Sequence, residues 1–489
     1  MASGSQMYLD FAACERVRMA RDPRFDGRFF IGVTSTGIYC RPICPAPHAK
    51  SSNVKYFPTA AAAAEAGFRP CLRCRPEAAP GTPAWLGTSA TVRRALRLIN
   101  EGALDTESVE QLASRLGIGS RHLHRLFIQH VGASPLAVAQ TRRLHFAKRL
   151  LDDTRLGMTD IALASGFGSL RRFNDAFRQT YGKAPRDLRR ERRGEVPEDD
   201  ALSLRLAYRP PYDWEAIRDF LATRALPGVE RVTAEGYARS VEVNGATGWF
   251  EVRPVPGADA LRLSVHGLGP AALFTVVRRV RHMFDLGADP EDVRVTLKDD
   301  KLLAPLIRRR PGLRVPGAWD AFELSVRAVL GQQVSVAAAR TFASRIVGQH
   351  GHPLPEPAEG LTHLFPEPAS LAKADLGSVG LTSARARTLN ALSGAVAEGQ
   401  LCFESCSAEE TREHLQRIPG IGAWTAEYAA MRALADPDAF PAEDLVLRRM
   451  AGNGHPLSAK QLLDRAEAWR PWRSYAVLHL WRAASDAVS

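Results

Sequence analysis

The 489-residue sequence predicts a multidomain α+β protein. Two close cysteine pairs near the N-terminus indicate a small module of mixed α and β structure. Helical hydrophobic periodicity then dominates to about residue 190, strand-like alternation follows, and helical periodicity returns from about residue 319. A chain of this length is expected to hold three or four domains, each with its own hydrophobic core.

Two stretches read as linkers and set the expected domain boundaries. Residues 77–88 are rich in Pro, Gly and Ala, and residues 189–200 are a charged run that has no apolar face to bury. Between and after them, alternating residues 203–208 and 261–265 predict strands. The expected domains are a cysteine module, an all-α region, a β-rich subdomain and an all-α C-terminal domain; their boundaries are 8–80, 88–192, 201–315 and 316–489.

The cysteine module contains Cys40, Cys44, Cys71 and Cys74, as two pairs separated by 26 residues. Zn²⁺ prefers four tetrahedral ligands with Zn–S distances of about 2.3 Å, and two close pairs on separate turns can supply them. The alternative is a pair of disulfides or buried free thiols. No secretory signal is evident before the cluster, so we expect a reducing cytoplasm, where disulfides are disfavoured. The pattern therefore predicts bound zinc.

Positive charge is concentrated in the first part of the chain. The net charge is +12, and residues 1–193 hold 31 Lys and Arg against 16 Asp and Glu. Such a basic region favours binding to nucleic acid phosphates, although a basic surface that serves only solubility is the alternative. The sequence contains no run of about 18 apolar residues, so no membrane span is expected.

The cysteines lie in two recognisable segments, TGIYCRPIC at residues 36–44 and GFRPCLRC at residues 67–74. These resemble the N-terminal domain of the Ada DNA-alkylation response proteins, across about residues 8–77. The resemblance implies that Cys40 accepts a methyl group irreversibly from methylated DNA phosphates, and Arg69 and Arg73 are the expected phosphate contacts. The alternative is a purely structural zinc site in which Cys40 is inert.

The all-α region contains two similar segments, residues 108–127 and 158–177. Each has a short amphipathic stretch, a turn with Gly, and a Ser before a basic stretch, as a helix-turn-helix requires. Residues 90–190 resemble the AraC/XylS regulators, and the resemblance implies recognition helices that start near Ser120 and Ser169. The exposed basic residues expected to reach DNA are Arg121, Arg125, Arg171 and Arg172. We expect Phe127, Phe173 and Phe177 to be core residues.

The C-terminal domain carries the stretch LQRIPGIGAWTA at residues 415–426. Gly420 and Gly422 permit a tight hairpin whose backbone N–H groups can hold a DNA phosphate without reading the base sequence. Asp444 follows 22 residues after Gly422. This combination is typical of helix-hairpin-helix DNA glycosylases.

From about residue 208 onward the chain closely resembles the AlkA-type 3-methyladenine DNA glycosylases (type II). Further matching phrases are RPPYDW at 209–214, LGQQVS at 330–335 and PWRSYA at 471–476. The resemblance implies a β-rich subdomain before the helical catalytic part, Asp444 as the catalytic carboxylate, and Gln333 at the position of the wedge that replaces the flipped base. The implied walls of the base pocket are Trp424, Tyr428 and Trp481, although each could instead be an ordinary core residue.

Two absences narrow the expected chemistry. Related enzymes with lyase activity carry a Schiff-base Lys where this chain has Trp424, so we expect a monofunctional glycosylase. No Pro-Cys-His-Arg motif occurs, so we do not expect direct repair of O6-methylguanine. Of the remaining cysteines, Cys402 and Cys406 do not form a four-cysteine cluster with others, so no iron–sulfur centre is expected.

Together these features predict a bifunctional DNA-alkylation response and repair protein. We expect a monomer that binds double-stranded alkylated DNA and promoter DNA, acts as a transcription activator, and has RNA polymerase as a further candidate partner. Two alternatives remain open: a regulator whose silent glycosylase domain only clamps DNA, and an enzyme whose helix-turn-helix is a non-specific tether.

Overall fold

The computed structural model describes residues 10–80, 90–191, 202–404, 406–452 and 454–487. These residues form two compact units. The first comprises residues 1–210, 255–278 and 286–288, and the second comprises residues 211–254, 279–285 and 289–489. Within the described ranges, no helix has both the length and the apolar character needed to cross a bilayer.

The cysteine module is built on a four-stranded sheet with two helices. In sheet order the strands are Val54–Phe57, Phe30–Val33, Ile38–Cys40 and Arg69–Pro70. The helices are Phe11–Ala20 and Ala60–Glu65. The last two strands pair in parallel, with Tyr39 opposite Pro70, so the sheet brings the two cysteine pairs to the same end.

The following region is all-helical, as predicted. Its helices are Ala90–Asn100, Ala103–Thr106, Val109–Arg115, Ser120–Val131, Pro135–Asp153, Met158–Ala164, Leu170–Tyr181 and Pro185–Glu191. We call Ser120–Val131 and Leu170–Tyr181 the recognition helices and Pro135–Asp153 the connecting helix. Phe127, Phe173 and Phe177 are fully buried, which confirms that they are core residues.

Strand structure follows where the alternation predicts it. In the first unit, Leu202–Ala207 pairs antiparallel with Ala260–His266, and alternate leucines such as Leu204 and Leu263 are buried. In the second unit, Glu230–Val232, Tyr237–Val243 and Ala246–Pro254 form an antiparallel meander. The turn between the last two strands uses Asn244 and Gly245, both at positive φ, as a tight hairpin turn requires.

Helices dominate the rest of the chain. From residue 211 onward the described α-helices are Trp214–Ala222, Leu273–Met283, Pro290–Leu297, Leu303–Arg309, Ala321–Leu330, Val336–His350, Pro368–Ala372, Ser383–Ala397, Ala408–Arg417, Ala423–Ala433, Leu445–Ala451, Ala459–Ala466 and Arg473–Asp486. The main core of the second unit joins buried apolar residues of the middle helices, among them Val326, Ile346, Leu389 and Leu415.

The expectation of an all-α C-terminal domain needs one correction. Strands Pro353–Ala358 and Leu361–His363 form a short antiparallel hairpin within it. Prolines alternate along residues 353–357, which excludes a helix, and Gly360 at φ +73° makes the turn. Leu354 and Leu361 are buried, so the hairpin has its own small apolar cluster.

The predicted linker at residues 77–88 begins too early. Glu77 lies in the short 3-10 helix Pro76–Ala78 and its side chain is buried in ion pairs, so this end of the stretch belongs to the folded module. Residues 81–88 lie outside the described residues. In the second predicted linker, residues 189–191 complete the helix Pro185–Glu191, and residues 192–200 lie outside the described residues.

Candidate functional sites

The four predicted metal ligands come together in the first unit. The Sγ atoms of Cys40, Cys44, Cys71 and Cys74 all lie within 4.8 Å of one another. A tetrahedral zinc with Zn–S distances of about 2.3 Å requires sulfurs about 3.8 Å apart, so small adjustments would complete the geometry. The backbone N–H of Arg41 also donates to Cys74 Sγ at 3.3 Å, a contact that suits a thiolate. The residues present therefore fit zinc.

Cys40 and Cys44 are partly exposed, whereas Cys71 and Cys74 are buried. Cys40 lies at the end of the strand Ile38–Cys40. The predicted phosphate contacts Arg69 and Arg73 are exposed on the same module. Arg41 is different, because its buried guanidinium pairs with Asp26 and donates to the Cys74 carbonyl at 3.0 Å. Arg41 thus supports the cluster from within.

A buried charge network ties the cysteine module to the connecting helix. Arg75, directly after the ligand Cys74, bonds Asp152 at 2.8 Å and Asp153 at 3.2 Å. Lys148 contacts Asp152 at 2.6 Å and Glu77 at 3.7 Å. No sequence pattern predicted this network, because the partners are about 75 residues apart and of common residue types.

A second contact anchors the other ligand strand. The hydroxyl of Tyr39, the residue before Cys40, lies 2.9 Å from His145 Nε2 on the connecting helix. Burial lowers the pKa of His145 to about 4, so its imidazole is neutral near pH 7. Both strands that carry ligands are therefore fixed to one helix of the DNA-binding region.

The recognition helices present basic side chains as predicted. Arg121 and Arg125 on the first, and Arg171 and Arg172 on the second, are all exposed. Ser169 caps the second helix by accepting from the Arg172 N–H at 3.3 Å, whereas Ser120 begins the first helix behind the cap residue Gly119. Exposed guanidinium groups on these helices are suited to phosphate and base contacts.

Asp105 links the two helix-turn-helix halves, and sequence reasoning missed it. Its carboxylate pairs with Arg142 and, at 2.6 Å, with Arg143, both on the connecting helix. A Cβ added to Gly166, in the second turn, would lie 2.6 Å from Asp105 Oδ2. The glycine is thus required by the close approach of this carboxylate. The only sequence signal was an acidic residue in a basic region.

In the second unit, Asp444 is held by three donors. It is the N-cap of helix Leu445–Ala451, and its Oδ1 accepts from the Leu447 N–H at 3.0 Å. Trp481 Nε1 donates to the same oxygen at 3.2 Å, and Trp424 Nε1 donates to Oδ2 at 3.0 Å. The neighbouring Glu443 is exposed, and both indole N–H groups donate to Asp444.

The three predicted pocket residues lie together beside this carboxylate. The rings of Trp424 and Tyr428 stack with centroids 5.2 Å apart and an interplanar angle of 10°. The Trp481 ring lies 6.2 Å from that of Tyr428 at 49°. All three are partly exposed, whereas an ordinary core aromatic such as Trp469 is fully buried. Their arrangement suits a flat aromatic ligand placed next to Asp444.

The hairpin before these residues has the expected glycine geometry. Gly420 has φ +90°, and a Cβ there would lie 2.2 Å from Thr388 Oγ1. Gly422 caps helix Ala423–Ala433 and has no side chain that could accept from the first N–H groups of this helix. Gln332 secures the turn by donating to the Gly420 carbonyl and to Thr425 Oγ1, both at 3.0 Å.

Gln333 lies in the loop between helices Ala321–Leu330 and Val336–His350. It is exposed and has φ +56°, which is unusual for a residue other than Gly. Next to it, the Gln332 carbonyl accepts from Arg385 at 2.7 Å, which helps to hold the loop. The exposed side chain is available for contact with a partner molecule.

The chain matches known families in three regions. Residues 13–77 match the metal binding domain of Ada, residues 112–191 match a helix-turn-helix domain, and residues 203–320 match the AlkA N-terminal domain. The "Probable bifunctional transcriptional activator/DNA repair enzyme AlkA" of Mycobacterium tuberculosis is 41% identical over 489 residues, covering 99% of this chain and 98% of that protein. The chain belongs to this family.

Two further similarities concern the C-terminal part of this family member. The "DNA-3-methyladenine glycosylase 2" of Escherichia coli is 39% identical over 282 residues, covering 56% of this chain and 95% of that protein. A 3-methyladenine DNA glycosylase structure from Archaeoglobus fulgidus is similar in fold, with a TM-score of 0.51 at 24% identity, over 57% of this chain and 98% of that one. The predicted resemblances to Ada and AlkA are confirmed.

Proposed function

We propose that this member of the family responds to DNA alkylation with two separate chemical centres. Cys40 accepts a methyl group from methylated phosphates, and Asp444 promotes hydrolysis of the N-glycosidic bond of alkylated purines. The surroundings of Cys40 and Asp444 support the proposal. Cys40 is a partly exposed member of a four-sulfur cluster, and Asp444 lies beside three aromatic rings, two of which donate indole hydrogen bonds to it.

The methyl transfer is a displacement at carbon. Zinc bound to the cluster would keep its four sulfurs in the thiolate form near neutral pH. Cys40 Sγ attacks the methyl carbon of a phosphotriester, an S–C bond forms, and the C–O bond breaks with its electron pair on the phosphate oxygen. The products are a thioether and an ordinary phosphodiester anion. Arg69 and Arg73 are placed to bind neighbouring phosphates.

Methylation of Cys40 also changes the charge of the cluster. Four thiolates around one Zn²⁺ carry a net charge of −2, and conversion of one thiolate to a thioether leaves −1. Repulsion from DNA phosphates therefore decreases, which strengthens DNA binding by the whole first unit. The contacts of Tyr39 and Arg75 with the connecting helix hold the cluster in place beside the DNA-binding helices.

Base excision uses the second centre. The flipped base stacks among Trp424, Tyr428 and Trp481, while backbone N–H groups at Gly420 and Gly422 hold a phosphate and Gln333 fills the vacated space. Departure of an N-alkylated purine leaves positive charge on the sugar, which the Asp444 carboxylate stabilises. Asp444 then positions or deprotonates the attacking water. With Trp424 in place of a Schiff-base Lys, the reaction ends at base release.

We infer a monomeric protein that acts in the cytoplasm, where bacterial DNA lies, and that activates promoters by contact with RNA polymerase. The exposed arginines of the two recognition helices support promoter binding. An activator must prefer particular DNA sequences. A non-specific tether would bind any DNA equally, because phosphate contacts alone do not read the base sequence.

Two measurements on the full chain test the proposal. Release of 3-methyladenine from alkylated duplex DNA reports on the Asp444 centre, and footprinting on promoter DNA, before and after exposure of the protein to methylated DNA, reports on the Cys40 centre. We expect base release and a footprint that strengthens after exposure. Absence of base release would favour the silent DNA clamp, and equal footprints would favour the non-specific tether.

A further inference from the structure

Four arginines surround a cavity in the second unit, close to the base pocket. They are Arg224, Arg239, Arg327 and Arg432, and the cavity wall also contains Glu230 and Glu323. Asp320 also lines the cavity, so three carboxylates face four arginines and neutralise only part of this charge. The cavity therefore has an excess of positive charge. The effect of this charge on a bound base depends on how close the arginines lie to Tyr428.

Arg239 and Arg327 are the neutralised pair. Arg327 Nη1 lies 2.9 Å from both Glu230 and Glu323. Arg239 pairs with Glu323 and lies 3.4 Å from Glu230. These four groups balance one another, so their net effect on a nearby substrate is small.

Arg432 and Arg224 have no carboxylate partner among the residues that the structure describes. Arg432 is buried and donates to the carbonyls of Pro316 at 2.7 Å and Gly317 at 3.1 Å. Arg224 donates to Thr223 Oγ1 at 2.9 Å. Both guanidinium groups also lie over the ring of Phe220, at 3.8 Å for Arg224 and 4.8 Å for Arg432. Two uncompensated positive charges are thus fixed side by side.

Tyr428 connects this pair to the base pocket. Arg432 Nη1 donates to the Tyr428 hydroxyl at 2.6 Å, and the guanidinium lies 5.3 Å from the centre of the Tyr428 ring. Burial, the largest single effect, would raise the pKa of this phenol, but Arg432 and Arg224, with a smaller contribution from Arg327, together lower it. The Tyr428 ring, which stacks on Trp424, therefore has a positive electrostatic potential at its hydroxyl end. The Arg432 guanidinium already makes a cation–π contact with this ring.

We infer that Arg432, assisted by Arg224, is a specificity determinant that shifts excision toward electrically neutral purines and away from cationic ones. The inference rests on the proposed function, in which Tyr428 lines the base pocket. The departing base takes the electron pair of the C1′–N bond. A cationic N-alkylpurine leaves as a neutral molecule, whereas a neutral purine leaves as an anion until it gains a proton from water.

Relative to free protein and free DNA, fixed positive charge acts oppositely on these two substrates. It stabilises the anion that forms from a neutral purine, and it repels a cationic purine in the bound state. The aromatic walls favour the cation, so the arginines offset that preference. Arg432 acts through Tyr428 and is a positioning residue, because the base contacts the tyrosine and not the arginine.

The test compares two bases within each variant of the full chain. Second-order rate constants for base release, obtained at protein concentrations below saturation, are measured on duplexes that contain hypoxanthine, a neutral base, or 7-methylguanine, a cationic base. These constants compare the transition state with free protein and free DNA, so they include the repulsion of a bound cation. In Arg432→Met the hypoxanthine to 7-methylguanine ratio should fall about tenfold, equivalent to about 1.4 kcal/mol. Arg224→Met should lower the ratio in the same direction. Because each ratio is internal, partial unfolding of a variant does not change it.

Two controls separate charge from packing. Arg432→Lys keeps the charge and should keep the ratio near that of the unsubstituted protein. Arg412→Met removes an arginine that is already paired with Glu427 at 2.9 Å and Asp436 at 2.6 Å, and it should leave the ratio unchanged.

An unchanged ratio in both methionine variants would overturn this inference alone. So would an equal loss for both bases in Arg432→Met, which would indicate a structural role. If the unsubstituted protein released neither hypoxanthine nor any alkylated base, the proposed glycosylase function would itself be wrong.

Discussion

Trp424 Nε1 donates a hydrogen bond to Asp444 Oδ2 at 3.0 Å, which joins a wall of the base pocket to its carboxylate. The residues come from different helices, 20 positions apart in the chain. The contact fixes the orientation of the Asp444 carboxylate. In the proposed function, the reaction ends at hydrolysis because Trp424 offers no nucleophilic amine.

Loss of this donor should impair catalysis while the stack is kept. In Trp424→Phe the aromatic face remains but the hydrogen bond to a charged acceptor is lost, which costs about 1.5–3 kcal/mol. We expect the single-turnover rate of 3-methyladenine release to fall about tenfold or more, with little change in the Kd for DNA. A large loss of DNA affinity with an unchanged rate would contradict the assigned role.

Removal of the carboxylate charge should have the greatest effect on base release. Asp444→Asn keeps the N-cap oxygen for Leu447 but loses the anion that stabilises the developing sugar cation. The rate should fall about 10²–10⁴-fold. Glu443→Gln is the matched control, since that side chain is exposed next to Asp444 and should have almost no effect. Equal losses in the two variants would show that the wrong acid was assigned.

The hairpin glycines should differ sharply in their tolerance of a methyl group. Gly420→Ala places Cβ 2.2 Å from Thr388 Oγ1 at a φ of +90°, whereas Gly422→Ala has an ordinary φ and no atom within 4 Å. We expect Gly420→Ala to lower the free energy of unfolding by about 1–3 kcal/mol and to weaken DNA binding. Gly422→Ala should unfold at nearly the normal temperature. Similar melting temperatures for both would contradict this account of the turn.

The charge network at the connecting helix should be important for the first unit. Glu77→Gln leaves Lys148 and Arg75 with one fewer buried partner, and loss of one member of a buried pair costs about 3–5 kcal/mol. We expect earlier thermal unfolding of the first unit, measured by hydrogen exchange of the connecting helix. Glu110→Gln, at an exposed position in another helix of the first unit, serves as the control. Unchanged protection in Glu77→Gln would mean that the network contributes little.

Asp285 should give the second unit a distinctive pH dependence. Burial raises its pKa from 3.8 to about 6, although Arg314 and the Tyr475 hydroxyl, which donates at 2.8 Å, act in the opposite direction. The folded state therefore binds a proton that the unfolded state has released between about pH 4 and pH 6. The contribution of Asp285 to stability is largest below pH 4 and is lost as the pH rises through about 6.

Substitution of this residue should flatten that profile. In Asp285→Asn, the decrease in the free energy of unfolding between pH 5 and pH 7 should be smaller than in the unsubstituted protein. Urea unfolding monitored by tryptophan fluorescence at the two pH values measures the difference. Parallel profiles for the two proteins would show that Asp285 does not titrate in this range.

Short motifs predicted the sites well because each motif encodes local chemistry. The cysteine spacing predicted a four-sulfur cluster, and the step from Gly422 to Asp444 predicted a carboxylate near the hairpin. The doubled helix-turn-helix pattern predicted which phenylalanines are buried. The assigned roles of individual residues and the four domain boundaries stay predictions.

Long-range electrostatics could not be predicted in the same way. Distant partners determine the roles of three residues. The partners of Asp105, Glu77 and Arg432 lie between 37 and 116 residues away in the chain. Arg432 also has no acidic partner among the described residues. Nothing in the local sequence distinguishes them from solvated surface charges. The hairpin at residues 353–363 was missed for another reason, because its prolines resemble those of a loop.

The most direct test of the account is to map the methyl group after the zinc-loaded protein has been exposed to DNA that carries methylphosphotriesters. Native mass spectrometry gives the zinc content, and peptide mapping locates the modification. The account predicts one methyl group on Cys40 with zinc retained, and no transfer to the Cys40→Ser variant. A methyl group on another residue, or none on Cys40 while the phosphotriesters disappear, would contradict it.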